Sequence, residues 1–213
     1  MSDHHWLGPL RWNKEAERQG TRSQVFCASM ADVFEEQAPE GQLERLWSLI
    51  RQTPFLDWQL LTKRPQRIAE SLPHDWGHGY RNVWLGTSVE DERVLERVGH
   101  LAAVPAAVRF LSVEPLIGPI THLPLGGIDW VIVGGESGVG ARPLEKEWVT
   151  DIRRQCGDAH VAFFFKQWGG PNKKKMGREL DGSYYNEMPM RRIAVAPAPS
   201  FIRRELVVLN GAR

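Results

Sequence analysis

The sequence predicts an α/β fold with about six parallel strands, arranged as a partial (β/α) barrel or an open sheet. Two observations predict this class. Short, almost wholly apolar runs alternate with segments whose apolar residues recur at three-and-four spacing, and each run ends in polar or charged residues. The run starts also lie roughly 20 to 35 residues apart, the length of a strand–helix repeat with right-handed crossovers. The runs cover residues 25–29, 58–64, 83–88, 108–114, 130–136 and 161–167.

Continuous apolar runs bounded by turn signals are typical of strands that are buried on both faces of a parallel sheet. Helices are predicted between them. The spaced apolar residues are Leu43, Leu46, Trp47 and Ile50 after the first run, and Val94, Leu95, Val98 and Leu101 after the third. Prolines at the proposed boundaries, such as Pro54 and Pro105, agree with this division because a missing amide donor does little harm there.

The chain length limits how complete a barrel can be. A closed eight-stranded barrel needs about 250 residues and two more strands than the sequence predicts. With 213 residues, we expect an irregular or partly helical lead-in over 1–20, one barrel domain over 21–190, and a C-terminal arm over 191–213.

The composition of the chain limits which partners and which cellular compartment we expect. Lys and Arg number 27 against 26 Asp and Glu, so net charge does not indicate a nucleic-acid partner. No segment approaches the roughly 18 apolar residues of a membrane span. The two cysteines, Cys27 and Cys156, form neither a disulfide framework nor a cysteine-rich metal site. We therefore expect a cytoplasmic protein without a membrane partner.

Carboxylates end two neighbouring runs. The carboxyl ends of parallel strands share one edge of the sheet, where ligands bind. Glu114 and Glu136 are therefore predicted to lie on one rim, and Glu90, just after the third run, could join them. Paired carboxylates can share a proton, bind a cation or hold a substrate ammonium. The structural alternative is that Glu114 accepts backbone amides in a tight turn and that Glu136 caps a loop.

Basic and aromatic residues end other runs. Lys63 and Arg64 follow the second run and Lys166 ends the sixth, so each could bind an anionic group or neutralise a rim carboxylate. Trp168 could stack on a planar ligand or simply close the end of the barrel.

Polar residues follow the first run. Ser29 and Asp32 are predicted either to contact a ligand or to cap a helix that starts there. Ser29, Ser112 and Ser137 lack the glycine-flanked turn of a serine hydrolase. The histidines show no zinc spacing, and no metal site is predicted.

Several motifs, taken in order, resemble a phage-associated family of uncharacterised function whose full-length members are similar to radical S-adenosylmethionine barrels. The resemblance runs from about Trp12 to Pro189. The motifs lie at Val25–Phe34, Leu61–Pro65, Asn82–Gly86, Arg109–Leu116, Trp130–Gly138, Ala141–Pro143 and Phe164–Gly169.

The resemblance implies a TIM-barrel-like fold with the N-terminal strand missing. Full-length members carry, before the segment matching Trp12, a three-cysteine loop that would hold a [4Fe–4S] cluster. We expect this chain to lack that loop and not to generate radicals alone. The resemblance also implies that Gly134, Gly135, Glu136 and Ser137 contact the amino-acid end of S-adenosylmethionine.

Three functions remain open. The first is a radical S-adenosylmethionine-like barrel whose rim, with Glu114, Glu136 and Lys166 at its centre, binds a small molecule or nucleotide. The second is a hydrolase or lyase in which Glu114 and Glu136 act as acid and base or bind a divalent cation. The third is a non-enzymatic remnant whose exposed sheet edge is covered by a partner protein.

Overall fold

A computed structural model describes residues 3–27, 32–172, 176–190 and 203–206 of the chain. The strands are β1 (Ser23–Cys27), β2 (Leu56–Thr62), β3 (Val83–Ser88), β4 (Val108–Val113), β5 (Trp130–Gly134), β6 (Ala162–Gln167) and β7 (Arg203–Leu206). The α-helices are α1 (Asp3–Arg18), α2 (Gln42–Gln52), α3 (Ile68–Ser71), α4 (Glu96–Ala102) and α5 (Lys146–Asp158).

The strand order confirms the predicted fold class. Each of the six apolar runs forms a strand, β1 to β6, and the hydrogen-bonded order is β6-β5-β4-β3-β2-β1-β7. Consecutive strands are neighbours, and β1 pairs with β2, β4 with β5 and β5 with β6 in parallel. This is the arrangement of a partial (β/α) barrel, in which every strand ends at the same edge of the sheet.

The chain divides into two compact units, and β3 contributes to both. Unit 1 comprises Met1–Leu85, Val104–Ala107 and Arg191–Arg213, and unit 2 comprises Gly86–Ala103 and Val108–Met190. The proposed division into a lead-in, a barrel and an arm stays a prediction.

Unit 1 is built around β1 and β2. One face of these strands carries fully buried apolar side chains, Val25, Cys27, Trp58 and Leu60. Helix α2 supplies Trp47 and Ile50 to the core, as the three-and-four spacing predicted. The Trp58 indole N–H donates to Thr53 Oγ1 (3.0 Å), which itself donates to the carbonyl of Leu49 (2.8 Å). This chain of bonds fixes the end of α2 beside the start of β2.

The segments flanking the barrel contain more regular structure than the sequence indicated. The lead-in, expected to be irregular or partly helical, is helical over Asp3–Arg18, where Trp6 and Ala16 are buried. In the arm, β7 pairs in parallel with β1. The remainder of 191–213 lies outside the described residues. The edge of β1 that faces away from β2 is thus paired with the chain's own β7.

Unit 2 is built around β4, β5 and β6. One face of these strands carries fully or almost fully buried apolar side chains, and α5, which contacts β6, buries Val149, Ile152 and Cys156 completely. The sheet residues of this face are Leu111, Val113, Val131, Val133, Phe163 and Phe165. The other face carries Phe110, whose ring occupies the space left by the absent side chain of Gly86.

The outer edge of β6 is also paired within the chain. The Phe165 N–H donates to the Tyr185 carbonyl (3.0 Å), and the Glu187 N–H donates to the Phe163 carbonyl (3.2 Å). An antiparallel bridge joins Phe164 to Asn186. Among the described residues, no helix is long and apolar enough to cross a membrane.

Candidate functional site at the carboxyl ends of the strands in unit 2

Glu114 and Lys166 meet across β5. Glu114 directly follows β4 and Lys166 lies near the end of β6, on either side of β5. Lys166 Nζ lies 2.6 Å from Glu114 Oε2. The contact is possible because the intervening residue is Gly134, where a Cβ would lie 3.1 Å from Glu114 Cδ and Oε1. The glycine before the rim thus makes room for a carboxylate from the neighbouring strand.

Two further polar side chains complete this arrangement. Gln167 Nε2 donates to Glu114 Oε1 (3.1 Å) and to Ser137 Oγ (2.8 Å). We call Glu114, Ser137, Lys166 and Gln167 the Glu114 cluster. The side chains of Glu114 and Lys166 are 17% and 32% exposed, so the pair is partly shielded from water but reachable from solvent.

Gly135 contacts the backbone at the end of β6, whereas the resemblance implied a contact with S-adenosylmethionine. Its N–H donates to the Gln167 carbonyl (3.0 Å), and a Cβ at position 135 would lie only 2.0 Å from the Trp168 carbonyl oxygen. Gly169 has φ +81°, and a Cβ there would lie 2.1 Å from the Glu136 carbonyl oxygen. The absent side chains therefore let the loops after β5 and β6 run in contact. Whether the backbone at Gly134 and Gly135 also contacts a ligand stays a prediction.

Glu136 is held by Arg142. Its carboxylate accepts hydrogen bonds from the Arg142 backbone N–H (3.0 Å), Nε (2.7 Å) and Nη2 (3.1 Å). These bonds, the side-chain ones first, lower the pKa of Glu136 from 4.5 to about 2. Glu136 is therefore ionised throughout the physiological pH range and is poorly suited to donate a proton.

The end of β3 carries two further ion pairs. Glu90 Oε2 lies 2.9 Å from Arg97 Nη1, which also donates to the Ser88 carbonyl (3.0 Å). Asp91 accepts two hydrogen bonds from Arg93 Nε, both of 3.0 Å. Thus the carboxylates Glu90, Asp91, Glu114 and Glu136 are each paired with a basic side chain of the same unit.

In unit 1, Asp32 organises the end of β2. Its Oδ1 accepts hydrogen bonds from Thr62 Oγ1 (2.6 Å) and the Phe34 N–H (3.0 Å), and its Oδ2 accepts the Lys63 N–H (2.9 Å). Arg64 lies 3.5 Å from the same carboxylate. Residues 32–40 form no helix, so Asp32 does not cap a helix there, and a ligand contact of Asp32 stays a prediction. The other candidate there, Ser29, lies outside the described residues.

Trp168 contacts other residues of unit 2. Its indole N–H donates to the Glu179 carbonyl (2.8 Å), and its ring meets that of Phe165 edge-on at a centroid distance of 4.8 Å. Whether Trp168 closes the end of the barrel stays a prediction. Ligand stacking on Trp168 stays a prediction.

The sequence reasoning missed Gln167, Arg142 and Arg97 as members of the rim. Each lies within a few residues of a predicted carboxylate or strand end: Arg142 is six residues after Glu136, and Arg97 is seven after Glu90. A search for basic residues that can reach back to each rim carboxylate would have identified both arginines. Gln167 was visible only as the polar neighbour of Lys166.

The described residues contain no cluster of candidate metal ligands. No group of three or more His, Cys, Asp or Glu side chains there could hold a metal ion. Cys27 and Cys156 are both buried, and burial raises the pKa of the Cys156 thiol to about 12, whereas a cluster ligand must be a thiolate. The cysteines of this chain therefore do not fit a [4Fe–4S] cluster.

The fold and the rim together define a class: an α/β protein with the strand order of a partial (β/α) barrel, whose strand-end carboxylates are held in ion pairs. The chain belongs to the family described as "Protein of unknown function (DUF5131)", whose profile matches residues 1–189. No curated protein and no solved structure matches the chain.

Proposed function

We propose that the Glu114 cluster binds the amino-acid end of a small molecule, and that this molecule is S-adenosylmethionine. The observation that carries the proposal is the 2.6 Å pair of Glu114 and Lys166, partly shielded and flanked by Gln167 and Ser137. An amino-acid end carries one ammonium and one carboxylate. Such a group can replace the ion pair between Glu114 and Lys166: its ammonium would bind Glu114, and its carboxylate would bind Lys166.

Charge exchange of this kind leaves no buried charge uncompensated. Removing only one partner of a partly buried pair would leave the other without a counter-charge, which is unfavourable. A zwitterionic group supplies both charges together, and Gln167 and Ser137 offer further donors and acceptors at its edge. Ligands that carry only one of the two charges should therefore bind less tightly.

The choice of S-adenosylmethionine follows from the likeness to radical barrels, and the residues of the Glu114 cluster fit its amino-acid end. When bound, this cofactor supplies a sulfonium centre from which a methyl or adenosyl group can leave. The residues of this chain would hold and orient it. Because the cysteines do not fit an iron–sulfur cluster, we derive no radical step for these 213 residues.

Two features favour ligand binding over the hydrolase alternative. Glu114 and Glu136 are both tied to basic side chains, and the lowered pKa of Glu136 disfavours its use as a general acid. An acid–base pair needs two carboxyls whose pKa values differ near neutral pH.

Isothermal titration calorimetry with S-adenosylmethionine and with L-methionine tests the proposal. We expect both to bind, and the methyl ester of methionine, which lacks the carboxylate charge, to bind more weakly. The variant Glu114→Gln should raise the Kd by roughly 10- to 150-fold, because a hydrogen bond to a charged group contributes about 1.5 to 3 kcal/mol.

Glu136→Gln is the matched control. It makes the same chemical change after the neighbouring strand β5, where the carboxylate is bound by Arg142, and should change the Kd by no more than about twofold. Equal binding by wild type and Glu114→Gln would exclude the Glu114 cluster. A large loss confined to Glu136→Gln would move the site to Glu136.

A further inference from the structure

We infer that Gln167 is a positioning residue of the Glu114 cluster: it holds the Glu114 carboxylate in place while Lys166 leaves that carboxylate to bind a ligand. The inference rests on the proposed function, because it concerns the ligand that exchanges with the ion pair of Glu114 and Lys166. It gives the two side chains that bind Glu114 different roles. Lys166 is exchanged for the ligand, and Gln167 stays.

A β-bulge brings both side chains to Glu114. In the parallel pairing of β5 and β6, the register shifts between Val133 and Gly134. Gly134 lies opposite Gln167, so Lys166 is the extra residue of the bulge. Consecutive residues of a regular strand point to opposite faces of the sheet. The bulge changes this, because Lys166 Nζ lies 2.6 Å from Glu114 Oε2 and Gln167 Nε2 lies 3.1 Å from Glu114 Oε1. Bulges are frequent next to active sites, where they redirect a side chain.

The chemistry of the carboxylate determines which end of the Gln167 amide faces it. An ionised carboxylate only accepts hydrogen bonds, so the amide atom beside Glu114 is the nitrogen. The same nitrogen donates to Ser137 Oγ at 2.8 Å. Ser137 belongs to the loop after β5, and Glu114 directly follows β4. The Gln167 amide therefore connects the carboxylate to a neighbouring loop that carries no charge in this contact.

The two bonds to Glu114 differ in what a ligand can replace. The ammonium of Lys166 and the ammonium of an amino-acid end carry the same charge, so the second can take the place of the first at Oε2. The Gln167 amide is neutral and bonds the other oxygen, Oε1, so this exchange does not require it to leave. Glu114 thus keeps one bond to the protein when Lys166 moves to the ligand carboxylate.

This bond matters for affinity because a glutamate side chain is flexible. Without Gln167, the Glu114 side chain would lose its remaining bond when Lys166 leaves, and the ligand would have to order it. Immobilising one flexible side chain on binding weakens affinity by about 2- to 12-fold. We expect a loss of this size when the amide of Gln167 is removed.

Calorimetric titration of the full chain with S-adenosylmethionine tests the inference in a double-mutant cycle. Gln167→Met has a similar length but no amide donor, and it should raise the Kd by about 2- to 12-fold. Glu114→Ala removes the carboxylate that Gln167 positions, so adding Gln167→Met to it should change the Kd by less than about twofold. Ligand-observed NMR measures any Kd that is too weak for calorimetry. Gln52→Met, a change of an exposed glutamine of α2, is the control and should leave the Kd unchanged.

The cycle separates positioning from a structural role. A structural role would weaken binding by the same factor with and without the Glu114 carboxylate, and that result would overturn the inference. An unchanged Kd for Gln167→Met alone would also overturn it, although the proposed function would stand. Absence of binding by the wild type would instead refute the proposed function, and the inference with it.

Discussion

Replacing Gly135 by alanine should destabilise unit 2 severely, because the contact between the loops after β5 and β6 has no room for a methyl group. The new Cβ would lie 2.0 Å from the Trp168 carbonyl oxygen and 2.8 Å from its carbonyl carbon. An ordinary contact needs about 3.5 Å, so the loops would have to separate by about 1.5 Å. Both atoms it meets belong to backbone, which cannot rotate away as a side chain can.

The magnitude follows from two costs. Overpacking in a well-packed region costs about 1 to 3 kcal/mol. Separation of the loops would also weaken the bonds from the Gly135 N–H to the Gln167 carbonyl and from the Gly170 N–H to the Glu136 carbonyl. Each such bond contributes about 0.5 to 1.5 kcal/mol. We therefore expect a loss of about 2 to 6 kcal/mol in the free energy of unfolding.

Urea denaturation followed by tryptophan fluorescence measures this loss. With a denaturant dependence of about 2 kcal/mol per molar, the midpoint should fall by about 1 to 3 M. Gly99→Ala is the matched control: Gly99 lies within α4, and a Cβ there would meet nothing within 4 Å. It should leave the midpoint unchanged or raise it, since alanine is about 0.5 to 1 kcal/mol better than glycine in a helix. Equal midpoints for wild type and Gly135→Ala would refute the reasoning.

Two further predictions concern titratable groups. Since the pKa of Glu136 is lower when folded than its ordinary 4.5, its contribution to stability is present above pH 4.5 and lost as the pH falls toward 2. The difference in unfolding free energy between wild type and Glu136→Gln, from urea titrations, should therefore shrink over that range; a constant difference would contradict the assigned ion pair. Cys156, with a pKa of about 12, should react with a thiol reagent at pH 8 only in denaturant, and rapid reaction of the folded protein would contradict its burial.

The strands could be predicted because their apolar character is a local property of the sequence. The predicted starts of the first two were nevertheless two residues late, at Val25 and Trp58. The reason is physical: Gln24 and Asp57 are buried polar residues inside the strands, and a search for apolar runs stops at such residues.

Strand β7 could not be predicted in this way. Its four residues, Arg203 to Leu206, include three charged ones, and nothing in their pattern indicates a strand. An edge strand can be held by backbone hydrogen bonds to its neighbour, here β1, without an apolar face of its own. Pairing of this kind depends on the tertiary fold rather than on local composition.

The positions of the rim residues at strand ends could be predicted from the sequence, but the ion pairs between them could not. The sequence indicated Glu114 and Lys166 as strand ends, because a carboxylate and a lysine follow apolar runs. It did not indicate that Gly134 would let them meet across β5, since that contact depends on strand order and register. The same holds for Arg142, which reaches Glu136 only through the turn at Gly138 to Ala141.

These pairings bear on what the rim can do. General acid–base catalysis needs a group whose pKa lies near the working pH, yet a carboxylate bonded to a guanidinium moves away from it, as Glu136 does. Ion pairs suit a different task, because each can exchange one internal partner for a ligand group of the same charge. Glu136 accepts three hydrogen bonds from Arg142, whereas Glu114 accepts one from Lys166 and one from Gln167. Fewer bonds must be exchanged at Glu114, so a ligand should displace Lys166 before it displaces Arg142.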